Sequence, residues 1–86
     1  HGLDNIALLD CFEWTEDDFN TKTLGSAIRR IGYQSWIRNI VIALGNADYN
    51  TQIIDSLKSA YTKHNDFIQE HIDWAIGHQQ LKQRSK

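Results

Sequence analysis

"RNIVIALGN" (residues 38–46) and "EHIDWAIGH" (residues 70–78) lie over one another when the chain is shifted by 32 residues. Ile40 meets Ile72, Ala43 meets Ala75, Leu44 meets Ile76 and Gly45 meets Gly77. Large apolar residues fall on large ones and small on small, as two helices making equivalent packing contacts require. A period near 30 built from two helices marks an α-solenoid. In the shared "A-(L/I)-G", the alanine lets a second helix approach closely. The glycine reads as a helix terminus taking positive φ.

The rest of the chain extends the same pattern. Leu24, Ala27, Ile28 and Ile31 fall at i, i+3, i+4, i+7, and so do Ile37, Ile40, Val41 and Leu44. Ile54, Leu57 and Tyr61 form a third stripe, widened by Ile53 and Ala60. Ile68, Ile72, Ala75 and Gln79 form a fourth, with Ile76 beside it. Each stripe gives a helix one apolar face. Thr15 with Asp18 reads as a capping box, and Asn50 and Asn65 or Asp66 as N-caps. Gly32, Gly45 and Gly77 each follow a stripe, at positions suited to a left-handed residue past a helix end. These signals predict helices near 4–12, 15–21, 24–31, 34–44, 51–62 and 66–81. The fold class is all-α, about five to six helices, with short loops and antiparallel neighbours.

Bulk properties narrow the function. The 86 residues make one small domain or part of a larger protein, and the 41% hydrophobic and 23% charged contents are ordinary for a soluble chain. The chain opens on His1 and has no methionine, so a piece of a longer protein is expected. No apolar run reaches the roughly 18–20 residues of a membrane span. Cys11 is the single cysteine, which rules out an internal disulfide and fits a reducing cytoplasm.

The net charge of −2 conceals a partition. Residues 1–18 carry six acids and no base, residues 19–45 four bases (Lys22, Arg29, Arg30, Arg38) and no acid, and the remainder five of each. Either the middle of the chain offers a surface to an anion, or acidic and basic segments face each other in the fold. Ile28, Ile31 and the Ile37–Leu44 stripe are expected to turn inward, which leaves all three arginines at or near the surface. Arginine binds phosphate bidentately and stacks on rings. With Lys22 and Lys63 the arginines would form a salt-sensitive patch. The competing use is to brace adjacent helices.

Other chemistry finds little support. His64, His71 and His78 are seven apart, a helical rise of about 10.5 Å, too far to share a zinc whose ligands sit about 2 Å away. Cys11 lies among Leu8, Leu9 and Phe12 and reads as a small buried hydrophobe. Glu13, Glu16, Asp17 and Asp18 form a surface-like run suited to a helix N-terminus. No glycine-rich phosphate loop occurs.

"GSAIRRIGYQSWIRNIVIALGN" (25–46) closely resembles the C-terminal region of epoxyqueuosine reductase, which carries GSA-I-x-R-x-G followed by W-[IL]-R-N…A-L-G-N. "HGLDN", "LLDCFEWTEDDF" and "FIQEHIDWAIG" resemble its flanking pieces in the same order, so the likeness runs from His1 to Gly77. The matching positions are Gly25, Ser26, Ala27, Arg30, Gly32, Trp36, Arg38, Asn39, Ala43, Leu44, Gly45 and Asn46. The resemblance implies HEAT-like repeats over 24–86, after an acidic helical segment (1–23) that joins a catalytic domain upstream. It implies reduction of epoxyqueuosine to queuosine at the tRNA wobble position, using cobalamin and two [4Fe-4S] clusters held elsewhere in the protein. This piece would then support the catalytic domain and contact the tRNA anticodon stem-loop, as part of a cytoplasmic monomer. Arg29, Arg30, Arg38 and Asn39 are the expected RNA contacts; Tyr33 and Trp36 are able to stack on a base, although Trp36, at a helix start, reads first as a packing residue. The alternative is a HEAT-like protein-interaction module with no RNA role.

Overall fold

The structure, a computed structural model, describes the backbone of residues 5–84 and the side chains of residues 7–82. The expected helix start at residue 4 and most of "HGLDN" lie outside the described residues. Among the described residues every element is helical: α1 (Asn5–Phe12), α2 (Glu16–Lys22), a 3₁₀ turn (Ala27–Ile31), α3 (Gly32–Asn46), α4 (Thr51–Ala60), a second 3₁₀ turn (Tyr61–Lys63) and α5 (Asp66–Arg84). No helix among them is long and apolar enough to cross a membrane.

The caps read from sequence are formed. The Asp18 N–H donates to Thr15 Oγ1 and the Thr15 N–H to Asp18 Oδ2, each at 3.1 Å, completing the capping box of α2. Asn50 Oδ1 accepts from the Gln52 N–H at 2.8 Å, and Asn65 Oδ1 from the Ile68 N–H at 3.1 Å. Each satisfies one of the donors that a helix start leaves without an internal partner.

Three of the four stripes build the core. Ile37, Ile40, Val41 and Leu44 of α3 pack with Ile53 and Leu57 of α4, and with Ile68, Ile72 and Ala75 of α5. Phe12 closes the cluster from α1. The two repeat-related helices pack on each other: α3 rests mainly on α5 and α1, and α4 on α5. Chain neighbours α3 and α4 are therefore not the principal packing pair that their short connection predicts.

The first stripe departs from expectation. Residues 24–31 are not an α-helix. Gly25 takes φ +76°, which an α-helix cannot accommodate, and Ser26 starts a new turn by accepting from the Ile28 N–H at 3.2 Å. Only the 3₁₀ turn over 27–31 follows, ended by Gly32 at φ +83°. Leu24, Ile28 and Ile31 are 65%, 43% and 46% exposed, so this stripe does not face the core.

Two glycines also differ from their reading. Gly45 and Gly77 both lie inside helices, α3 and α5, and neither has positive φ. A Cβ on Gly45 would sit 2.6 Å from Trp74 Cζ3 and 3.0 Å from the Ala75 Cα, so this glycine is the point of closest helix approach. The end of α3 needs no left-handed residue, because α5 caps it. Gln79, fully buried, donates through Nε2 to the carbonyls of Leu44 (2.8 Å) and Ala47 (2.9 Å). Its Oε1 accepts from the Asn50 N–H at 3.0 Å. Lys82 Nζ adds bonds to the Gly45 and Ala47 carbonyls, placing a cation at the negative end of α3.

Candidate nucleic-acid interface

The candidate interface starts from a capped turn. Gly25 and Gly32, both at positive φ, bracket residues 27–31, and the Ser26 hydroxyl caps the turn from within. Arg29 and Arg30 are exposed on it. Among the described residues neither makes a side-chain hydrogen bond or an ion pair. The acidic segment is thus not their partner there. Both guanidiniums keep all five N–H donors for an external acceptor.

Arg38 and Asn39 form a separate pair. Arg38 is half-buried and donates from Nε (3.3 Å) and an Nη (3.1 Å) to the exposed Asn39 Oδ1. This contact occupies the Asn39 acceptor and steadies the guanidinium, which keeps three of its five donors. The Asn39 amide still offers two donors. No side-chain hydrogen bond among the described residues links this pair to Arg29 or Arg30.

The other predicted members are spent elsewhere. Lys22 Nζ lies 5.2 Å over the Trp14 ring. Lys63 lines a cavity of about 360 Å³ with Glu13, Glu16 and His64, a mixed-charge setting. Trp36 stacks on Trp14 at 5.5 Å and tilts against Phe19 at 5.6 Å. Tyr33 packs edge-on to Phe19, and its hydroxyl donates to the Trp14 carbonyl at 2.8 Å. Both half-buried rings belong to an aromatic cluster joining the α1–α2 connection, α2 and α3. Sequence reading missed this cluster because Trp14 and Phe19 lie far from Trp36 in the chain.

The remaining reactive groups are quiet. Burial and neighbouring Asp10 push the Cys11 thiol above its ordinary value, against a smaller opposing pull from Lys22, so it stays protonated at neutral pH. His71 Nδ1 lies 2.9 Å from the Phe67 carbonyl, and His78 stacks on Trp74 at 4.4 Å. No group of three metal-binding side chains occurs among the described residues.

Comparison with known proteins gives this surface a context. The chain is 49% identical over 81 residues to an epoxyqueuosine reductase of Francisella cf. novicida, covering 92% of the chain and 22% of that relative. It is 46% identical over 84 residues to the Salmonella typhimurium epoxyqueuosine reductase (98% of the chain, 21% of the relative). It is also 46% identical over 78 residues to that of Escherichia coli (91% and 20%). The chain is homologous to one region of the epoxyqueuosine reductases. It spans about a fifth of the length of these curated relatives. No protein-family model and no solved structure matches it. The chain's own donor set does not fit an iron–sulfur cluster. One cysteine cannot supply the four thiolates of even one cluster.

Proposed function

We propose that the chain is the C-terminal, HEAT-like region of an epoxyqueuosine reductase, the oxidoreductase that converts epoxyqueuosine to queuosine at the tRNA wobble position. In this reading the region supports the catalytic portion of a cytoplasmic monomer and holds the tRNA anticodon stem-loop. Cobalamin and two [4Fe-4S] clusters belong to the remainder of the polypeptide. Arg29 and Arg30 grip phosphates, while Arg38 and Asn39, held together, reach a second phosphate and a ribose hydroxyl or base edge.

The observation that carries this reading is the pair of unpartnered, exposed arginines on a glycine-bracketed turn, within a 27-residue stretch free of acid. A backbone already folded into a turn leaves only the arginine side chains to be ordered when phosphate binds.

Arg29→Ala/Arg30→Ala/Arg38→Ala in the full-length protein tests it. Anticodon stem-loop binding is expected to weaken at least tenfold at physiological salt. The slope of log affinity against log salt should flatten by about 0.7–0.9 for each phosphate that the variant no longer neutralises. Unchanged affinity and slope would exclude the RNA role. The exposed Leu24, Ile28 and Ile31 favour a second reading, a protein-interaction module that binds no RNA. A stable protein partner, with no tRNA retained at physiological salt, would select it.

A further inference from the structure

The apolar edge on the arginine turn takes no part in holding RNA. Leu24, Ile28 and Ile31 are three large aliphatic residues within eight positions, all exposed. A 3₁₀ turn has three residues per turn, so Ile28 and Ile31 share one edge while Arg29 and Arg30 occupy the other two. The edge is already ordered by the Ser26 cap and the two positive-φ glycines. Scattered exposed aliphatics are ordinary, but three within eight residues, two of them on one edge of a turn, mark a contact surface.

We propose that Leu24, Ile28 and Ile31 form the seat on which the catalytic remainder of the same polypeptide docks. The proposal deepens the reading given under Proposed function and rests on it. One turn then does two things: its aliphatic edge holds protein and its cationic edges hold RNA.

The choice of occupant follows from three observations. Each relative carries about four-fifths of its length outside the matched region, and the match to the Salmonella relative takes in 98% of this chain. In those relatives the turn is thus tethered to a much larger body of protein. The chemistry of the edge also excludes RNA. Branched aliphatics have no π face for a base and no charge for a phosphate. Finally, the repeat identifies which side is closed. Where α3 has buried Val41, α5 has exposed Asp73, and where α3 has Arg38, α5 has exposed Glu70. Phe67, Trp74 and Leu81 are exposed on α5 as well, but Phe67 and Trp74 interleave with these acids, Trp74 already covers Gly45, and Leu81 stands apart near the helix end. A polar outer face is what a terminal helix of a repeat array carries. The turn at 24–31 has no acid at all, and its aliphatic edge is uninterrupted.

The test uses the full-length protein with p-benzoyl-phenylalanine in place of Ile28 and, separately, of Leu24. After photolysis, crosslinked peptides are mapped by mass spectrometry with and without the tRNA anticodon stem-loop. Crosslinks to residues of the same polypeptide outside this region are expected at both positions. Crosslinks to a second copy, crosslinks to RNA, or none above background would each overturn the proposal. In parallel, Ile28→Lys/Ile31→Lys is expected to raise the rate of limited proteolysis between this region and the remainder at least tenfold. Arg29→Gln/Arg30→Gln on the same turn should leave that rate unchanged. Equal rates for wild type and the double-lysine variant would also overturn it. If the wild-type protein fails to reduce epoxyqueuosine in tRNA, the functional reading falls, and the crosslinks still decide where the region docks.

Discussion

Ile28 and Ile31 in the arginine turn repeat the spacing of Ile37, Ile40, Val41 and Leu44 in α3, and the two sets end in opposite places. The α3 set is buried, with Ile37, Val41 and Leu44 fully so, while Ile28 and Ile31 remain nearly half exposed. Periodicity records that an element has an apolar edge. It does not record whether a partner lies within the same stretch of chain. For α3 the partner is its own repeat mate, α5, 32 residues on. For the turn, no such partner exists among the described residues. The largest expected contrast follows. Leu44→Ala in the 86-residue chain should cost about 2–5 kcal/mol, from reduced transfer energy plus a cavity. Ile31→Ala should stay within about 0.5 kcal/mol, as a surface change does. Chemical denaturation of both variants measures this, and a comparable loss for Ile31→Ala would erase the distinction.

A finer contrast separates the two glycines that the repeat equates. Gly45 has α5 pressed against it, and part of what a Cβ would meet is the Ala75 backbone, which cannot swing aside as the Trp74 ring edge can. Gly45→Ala is therefore expected to destabilise by about 1–3 kcal/mol, the usual cost of overpacking. Gly77 has nothing within 4 Å of a built Cβ and lies in mid-helix. Gly77→Ala should stabilise by about 0.5–1 kcal/mol, because alanine loses less backbone freedom in a helix. Thermal melts of the two variants should move in opposite directions. Shifts of the same sign would mean that repeat position alone, rather than the local neighbour, sets the role of the glycine.

The same distinction governs what could be read in advance. Caps such as Thr15 with Asp18, Asn50 and Asn65 are local, and the stripes of α3, α4 and α5 are periodic, so both show in the residue order. Gln79 shows only half of its role. Its place in the fourth stripe announces burial, but the carbonyls of Leu44 and Ala47 that it serves lie 35 and 32 residues away. A polar residue at a core position is the available signal, because a buried amide must find partners. The exposure of Arg29 and Arg30 was legible, although the reason differs: the turn projects beyond the core instead of covering it. That Trp36 packs was legible from its place at a helix start, but the recruitment of Lys22 and Tyr33 into the same aromatic cluster was not. It depends on Trp14 and Phe19 arriving from α2 and its approach, a pairing that composition does not reveal.

The smallest expected effect tests the seam where α1 meets the rest. His64 lies between Phe12 of α1 and Tyr33 of α3, with ring centroids 6.0 and 6.4 Å away. Burial, reinforced by the adjacent Lys63 charge, holds its imidazole below the ordinary value of 6.5. The folded chain therefore binds the His64 proton more weakly than the unfolded chain does. The sign follows from linkage: the contribution is fully present above pH 6.5 and is lost as pH falls from there through the lowered folded-state value. His64→Phe keeps the stacking and removes the titration. Between neutral pH and the mid-fives, the melting temperature of the wild type should fall more than that of the variant. Parallel curves would mean that the ring is protonated without cost in the fold. The α1 seam would then be wet, a feature of the exposed turn and not of the α3 core.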